Sequence, residues 1–240
     1  MMSFFEDLKR DRDKQIMALS IVFFVLAFPT YFFLAASNAD GSSGLNSVEM
    51  YVIDGELTFI ELDAGDEFVA DGDPLVIDDL HTDSIDNAED LNIVGVVLTM
   101  SYTEAEETSG FCGGAAGGQP AADTITGMTM HGDYNETASG SNDGESGSHS
   151  VESWWVNISM FDEVVLMSKA DIISEIDADG AGLGAYSAEI SVDAQAGNTP
   201  LPSVGPACDR TDDGEDVTYT IELIVLEYDI KPFFEIIEEL

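Results

Sequence analysis

Positively charged residues are what this sequence has least of. Its 240 residues include seven Lys and Arg against 48 Asp and Glu, which gives a net charge of −41. A surface of this charge repels the phosphates of nucleic acids, so the composition excludes a nucleic-acid partner. Scarce Lys with abundant acids is typical of proteins that work in concentrated salt, where ions screen the repulsion between like charges. A merely acidic exported protein fits this composition as well.

The motifs of several common catalytic sites are also missing. The sequence contains no GxSxG, HExxH or GxxxxGK[ST] pattern. The stretch Met128-Thr129-Met130-His131 either offers soft ligands to a metal or forms one face of a strand. The many acids leave a paired-acid glycosidase or a cation-dependent surface enzyme open, but they indicate neither, because chance pairs are common at this density. A catalytic role is therefore not indicated.

Cysteine occurs only twice, as Cys112 and Cys208. An even count in an exported chain favours a disulfide, and the alternative is two free buried thiols. A bridge between them closes a loop of about 96 residues, which stabilises the fold by about 4–5 kcal/mol in the chain-entropy model. Cys112 follows the strand-like residues 91–103, and Cys208 precedes residues 217–230. The disulfide therefore predicts that these two strands are antiparallel neighbours.

Apolar residues, by contrast, are plentiful, and residues 16–36 form a run without any charged side chain. A helix of this length spans roughly 31 Å, about the thickness of one hydrocarbon core. The run is longer than the apolar part of most signal peptides, which favours a signal anchor that stays in the mature protein. The alternative is a signal peptide that is cleaved after Ser37-Asn38-Ala39.

Basic residues beside this segment predict its orientation. Four bases precede it, namely Lys9, Arg10, Arg12 and Lys14, and the next base is Lys169. The flank richer in Lys and Arg stays in the cytoplasm. We therefore expect a single-pass protein of the cell membrane: a cytoplasmic tail at 1–15, a bilayer-spanning helix at 16–36, a linker at 37–45 and an acidic domain outside the cytoplasm at 46–240. Other cell-surface proteins are the expected partners of that domain.

The order of a basic stretch, a long apolar helix and a β-rich head resembles archaeal type IV pilins in layout. Lys14-Gln15 lies where the peptidase of that family would cut. Lys14 stands where that family has a small residue, and Leu19 stands where the wider pilin class has a Glu. The resemblance implies a filament subunit, as the alternative to a structural or interaction role at the cell surface.

Beyond the linker, short strand-like runs are separated by turns rich in Gly, Asp, Ser and Pro. Three runs predict strands most clearly, residues 91–103, 186–192 and 217–230. Four weaker strands are predicted at residues 48–54, 57–62, 124–131 and 151–160. This spacing predicts an all-β antiparallel sandwich of about seven to nine strands. Small helical additions are predicted at 163–176 and after Pro232, and long exposed loops at 110–122 and 138–150.

Two positions match the acceptor pattern for N-glycosylation, Asn135-Glu136-Thr137 and Asn157-Ile158-Ser159. If residues 151–160 form a strand, Trp154 and Val156 face the core, while Trp155 and Asn157 face water. The pattern therefore predicts two exposed glycan sites, at Asn135 and Asn157.

Ca²⁺ is the one cofactor that the acids suggest, because it binds several oxygen ligands on acidic turns. Glu175, Asp177 and Asp179 resemble the first half of an EF-hand loop, but the twelfth position is Tyr186 instead of Glu. Asp71-Gly72-Asp73 and residues 212–216 are other candidate turns. The alternative for all of these acids is solvated surface charge.

Overall fold

The structure is a computed structural model that describes residues 50–110, 112, 118–142, 145–161, 163–198 and 208–233. Strands dominate this part of the chain: β1 (Tyr51–Ala70), β2 (Leu75–His81), β3 (Ile93–Thr103), β4 (Glu107–Gly110), β5 (Thr124–His131), β6 (Tyr134–Ser141), β7 (Ser146–Trp154), β8 (Val164–Val165), β9 (Ala185–Asp193), β10 (Cys208–Thr211) and β11 (Gly214–Pro232). The helices are short: α1 (Lys169–Ile176) and 3₁₀ turns at Thr82–Ser84, Ala88–Asp90 and Ile158–Met160. The predicted all-β class is confirmed.

Five strands form one sheet in the order β7-β3-β11-β1-β8, and every neighbouring pair is antiparallel. β11 lies at the centre, which explains why residues 217–230 become apolar on both faces. Its pairing with β3 runs from Asp216↔Thr103 to Val225↔Ile93. The predicted antiparallel pairing of these two strands is therefore confirmed. The two weaker strands predicted at 48–54 and 57–62 are parts of the single strand β1.

A second, four-stranded antiparallel sheet has the order β2-β9-β5-β6. In β9 every second side chain is buried, beginning with Tyr186, as the alternation of residues 186–192 predicts. The sequence did not predict β2, because its alternation breaks in the middle. The register shifts between Ile77 and Leu80, and Asp79 has a positive φ of 62°. This irregularity admits two consecutive exposed acids into the strand.

The larger hydrophobic core takes side chains from both sheets. Leu98, Met100 and Ile221 come from the five-stranded sheet, while Ile125 and Ile190 come from the four-stranded sheet. Because one continuous core joins them, the two sheets pack face to face, which agrees with the predicted sandwich.

A smaller core covers the other face of the five-stranded sheet. There α1 packs Ile172 and Ile176 against Val94 and Leu226. Simple alternation along residues 91–103 predicts that Val94 shares a face with Val96 and Leu98. That prediction is wrong, because a register shift between Ile224 and Val225, opposite this part of β3, reverses the alternation.

Residues 138–150 are not the long exposed loop that their Gly and Ser content predicted. Residues 138–141 belong to β6 and residues 146–150 belong to β7, and β7 pairs with β3 along its whole length. The glycines make room for aromatic side chains. A Cβ on Gly147 would lie 2.4 Å from the ring of Tyr102, and a Cβ on Gly140 would lie 2.4 Å from His149 Nδ1. Glycine here permits close packing and does not indicate a loop.

The strand predicted at residues 151–160 ends earlier, at Trp154, and a 3₁₀ turn follows at Ile158–Met160. The predicted inward and outward faces therefore fail after that point. Trp155, expected in water, is half-buried and packs against the larger core. The helix predicted from residue 163 begins only at Lys169, where Ser168 Oγ accepts a hydrogen bond from Asp171 N. A helix over 163–176 would place Leu166 on the same face as Ile172 and Ile176, but Leu166 precedes the helix and is 63% exposed.

The predicted disulfide between Cys112 and Cys208 is present, and it joins Cα atoms 4.8 Å apart. Beside it, β4 and β10 form a two-stranded antiparallel ribbon in which Cys208 pairs with Gly110. We call this ribbon, with its disulfide, the disulfide arm. β4 lies close after the end of β3, and β10 lies just before β11, so the arm extends from two neighbouring strands of the five-stranded sheet.

The predicted tail, membrane helix and linker at residues 1–45 lie outside the described residues. The same holds for the orienting bases Lys9, Arg10, Arg12 and Lys14, and for most of the helix predicted after Pro232. Among the helices that the structure does describe, none has the length and apolar character needed to cross a bilayer.

Candidate functional site

Four carboxylates converge where several strands end. One oxygen from each of Glu104, Asp123, Asp212 and Glu215 lies within 4.8 Å of the corresponding oxygens of the others. In the described part of the chain, no other group of three or more Asp, Glu, His or Cys side chains is arranged to hold a metal ion. We call these four residues the carboxylate cluster.

Strand ends place the four side chains. Glu104 directly follows β3, Asp123 directly precedes β5, Asp212 lies in the turn between β10 and β11, and Glu215 is the second residue of β11. Because β5 belongs to the other sheet, the cluster joins both sheets at the base of the disulfide arm. The turn requires glycine: Gly214 has a φ of 142°, and a Cβ there would lie 2.2 Å from the carbonyl oxygen of Val69.

Asn142, at the end of β6, completes the site with a neutral side chain. Its Oδ1 accepts a hydrogen bond from Asp123 N at 2.9 Å. Its Nδ2 donates to Asp123 Oδ2 at 2.7 Å and to Glu215 Oε1 at 3.1 Å, and it lies 3.5 Å from Glu104 Oε2. The backbone N–H fixes which way the amide points, so the nitrogen must face the carboxylates.

Two of the cluster's oxygens have no hydrogen-bond donor. Glu215 is completely buried, and its Oε2 is unpartnered. Asp212 Oδ2 is likewise buried and unpartnered, while Asp212 Oδ1 accepts from Gly214 N at 3.3 Å. Asp123 is also fully buried, but both of its oxygens accept hydrogen bonds, one of them from Gln195 N at 2.6 Å. A buried carboxylate oxygen without a donor is costly, so the two open oxygens call for a ligand or a proton.

The environment raises the pKa of three of the carboxyl groups. For Glu215 burial is the largest cause, and the neighbouring carboxyl of Asp123 adds to it, so that the pKa rises to about 9. Burial is also the main cause of the raised pKa of Glu104 and of Asp212, and the other acids of the cluster contribute by repulsion. Each shift means that the negative form lacks compensation in the structure as it stands.

The base that is closest in sequence to Asp212 is paired with an acid outside the cluster. Arg210 Nη1 donates to Glu106 Oε2 at 2.6 Å, and both side chains are largely buried. Glu106 also accepts from Gly197 N at 2.6 Å, so it is well satisfied. Within the described residues no Lys, Arg or His forms an ion pair with any member of the carboxylate cluster.

An all-oxygen set of this kind suits a hard cation, above all Ca²⁺, which takes carboxylate and amide oxygens as ligands. It suits paired-acid hydrolysis of a sugar poorly. Hydrolysis needs carboxyl groups that flank the substrate, whereas Asp123 and Glu215 have no contact with solvent. An ion can bind between these buried side chains, whereas a sugar ring cannot be flanked by Asp123 and Glu215.

No protein-family model matches this chain, and no curated protein is similar to it in sequence.

The EF-hand-like turn, which the sequence suggested as a cation site, does not have the geometry of a ligand group. The structure does not bring Glu175, Asp177 and Asp179 together as a group of ligands. Asp177 ends α1, and its oxygens accept hydrogen bonds from Asp179 N at 3.0 Å and from Tyr228 Oη at 3.0 Å. Cation binding at this turn stays a prediction.

Of the turns suggested by the sequence, residues 212–216 supply half of the carboxylate cluster. Glu104, Asp123 and Asn142 were not predicted. Nothing local distinguishes them from the other acids and amides, because they meet only through the pairing of distant strands. The other turn, Asp71-Gly72-Asp73, uses Asp71 Oδ1 to accept from Ala194 N at 3.2 Å.

Both predicted glycan acceptors are exposed. Asn135 lies on β6, and Asn157 precedes a 3₁₀ turn, where its Oδ1 accepts from Ser159 N at 3.2 Å. Glycosylation of either residue stays a prediction.

The motif Met128-Thr129-Met130-His131 lies on β5, where the two methionines are half-buried and His131 is buried. His131 Nε2 lies 2.6 Å from the carbonyl oxygen of Ala181, Nδ1 lies 3.0 Å from that of Ala185, and the ring stacks on Tyr186. Because both ring nitrogens have backbone partners, His131 is not available as a soft-metal ligand.

Proposed function

We propose that this chain is a single-pass membrane protein whose acidic β domain, residues 46–240, lies outside the cytoplasm and has a structural or interaction role. The disulfide of the acidic domain is the observation that carries the proposal, since disulfides persist in oxidising compartments. The uncharged segment at 16–36 and the bases that precede it support the anchor and its orientation.

Protease accessibility tests this topology. Intact cells carry the full chain with one epitope tag at each end and are treated with external protease. The C-terminal tag should be lost, and the N-terminal tag should survive. Replacing Lys9, Arg10, Arg12 and Lys14 with Gln should leave a fraction of the C-terminal tags protected, because the orienting bases are gone.

The matched control replaces two bases of the acidic domain, Lys169→Gln and Lys231→Gln, and should behave like the parent chain. A protected C-terminal tag in the parent chain would overturn the proposed location. Complete loss of that tag in the fourfold variant would show that these bases do not set the orientation.

A filament subunit is the second candidate, and the pilin-like layout of residues 1–36 favours it. N-terminal sequencing of the mature protein separates the possibilities. Retention of Met1 supports the anchor, a cut before Gln15 supports the filament subunit, and a cut after Ala39 contradicts both.

A further inference from the structure

We propose that the carboxylate cluster is a Ca²⁺ site, with Glu104, Asp123, Asp212 and Glu215 as its acidic ligands and Asn142 as the amide that orients them. The inference adds a specific ligand to the acidic domain. It does not depend on the membrane anchor, so the protease experiment and the calcium experiment can fail separately.

The first support is the unpartnered side chain at the centre of the site. Glu215 has no exposed surface, and its Oε2 has no donor although it lies among the other carboxylates. Asp212 Oδ2 is open in the same way. Surface acids that merely share a region would turn these oxygens toward water. Here the fold keeps both oxygens away from water, and one oxygen of each side chain lies within 4.8 Å of the other carboxylates.

The amide of Asn142 gives the second support. Its Nδ2 faces oxygens of three different carboxylates but has only two hydrogens to donate. Asp123 N holds the amide in this orientation through Oδ1. One neutral N–H₂ group cannot compensate four acids, and no described base pairs with them. The site therefore lacks positive charge, and a divalent cation would supply it.

The donor set and its size fit Ca²⁺. Ca²⁺ binds oxygen at 2.3–2.6 Å, so two ligands on opposite sides of it lie about 4.6–5.2 Å apart. The cluster oxygens all lie within 4.8 Å of one another, so all four can reach one such ion. Mg²⁺ demands a near-ideal octahedron and gives up its bound waters reluctantly, so a group of four protein carboxylates suits it less well. The absence of His and Cys from the group argues against zinc.

A cation at this point would tie together several parts of the fold. It would link the end of β3 and the start of β11 in one sheet to the start of β5 in the other. It would also fix the turn that joins β10, a strand of the disulfide arm, to β11. The site would therefore stabilise the sandwich and set the position of the arm.

The test uses the full chain, purified in detergent, stripped with a chelator and titrated with CaCl₂ in a calorimeter. A background of about 1 M KCl shortens the screening length to about 3 Å, which suppresses diffuse binding by the acidic surface. We expect one tightly bound Ca²⁺ per chain, with an affinity of at least the 10⁻⁴–10⁻³ M typical of extracellular modules. MgCl₂ should bind at least about tenfold more weakly, because Mg²⁺ gives up its bound waters reluctantly and rarely occupies a shell made only of protein ligands.

The variant Asp212→Asn with Glu215→Gln should lose this binding and its calcium-dependent rise in melting temperature. The matched comparison is Glu175→Gln with Asp179→Asn, which removes the same charge at the EF-hand-like turn, the competing location for the ion. If the carboxylate cluster holds the Ca²⁺, this variant should bind it like the parent chain. If the first variant does not fold, Glu104→Gln replaces it.

Three results would overturn the proposal. They are no stoichiometric Ca²⁺ on the parent chain, loss of binding in the control pair but not in the cluster variants, and equal affinity for Mg²⁺.

Discussion

Glu215 is the second residue of β11, and its side chain is completely buried. An isolated charge there is expensive, and the carboxyl of Asp123 lies beside it. Burial and this neighbour raise the pKa of Glu215 to about 9, so in the cation-free protein the carboxyl group keeps its proton at neutral pH. Ionising Glu215 in the folded, cation-free protein therefore lowers the free energy of unfolding.

This cost predicts how stability depends on pH in the chelator-treated protein. The pKa of Glu215 is raised from 4.5 in the unfolded chain to about 9 in the folded one. Between these values the folded chain holds a proton that the unfolded chain has lost, so the free energy of unfolding should fall as pH rises through this window. Urea midpoints from pH 5 to 9 measure the decline.

Glu215→Gln should make that decline shallower, because glutamine does not ionise. Asp216→Asn, at the exposed neighbouring position of β11, should leave it unchanged and serves as the control. Equal slopes in the parent chain and in Glu215→Gln would contradict this account of the buried acid.

At the scale of elements, β6 and β7 show how packing across a sheet overrides local composition. Their Gly and Ser content is typical of a loop, yet β7 pairs with β3 over nine positions. Tyr102 of β3 lies where side chains at residues 140 and 147 would otherwise stand. β9 is the opposite case: its strict alternation predicts its buried face correctly, because that information is local.

The tight fit at Gly147 predicts a measurable cost for a single methyl group. A Cβ there would lie 2.4 Å from the Tyr102 ring and 2.6 Å from the carbonyl oxygen of Ser141. Gly147→Ala should therefore lower the free energy of unfolding by about 1–3 kcal/mol, the usual cost of overpacking. Denaturant unfolding of the full chain measures the change.

Ser148→Ala is the control, since Ser148 is exposed on the same strand. Its effect should stay within about 0.5 kcal/mol. If Gly147→Ala is as stable as this control, the close approach of Tyr102 does not constrain the strand.

On the scale of the whole molecule, the charge of −41 governs behaviour more than any single contact does. Few described ion pairs offset it, and those at Lys231 are exposed and contribute little. Self-repulsion therefore opposes the compact state unless salt screens it.

Salt should accordingly stabilise this protein. Raising KCl from about 0.1 M to about 1 M shortens the screening length from about 10 Å to about 3 Å, so the melting temperature of the full chain should rise. Chloride is preferred to sulfate, because sulfate also strengthens apolar burial. A melting temperature that does not change with KCl would show that repulsion among the acids is not a significant term.

The sequence alone was enough for features that depend on local pattern or on counting. Alternation in residues 186–192 predicted a strand and its buried face, the apolar run of 217–230 predicted a strand, and a single pair of cysteines could form one disulfide. Each of these follows from neighbouring residues or from composition, so no long-range information is needed.

Only the tertiary structure decided which acids matter. Glu104, Asp123 and Glu215 are far apart along the chain, and they meet because β3, β5 and β11 end at the same place. Partner strands likewise set the register shift that turns the side chain of Val94 to the other face of the sheet. They also decide where glycine is needed to make room for Tyr102. Among 48 acids no local signal identifies these, because burial and mutual distance belong to the folded chain.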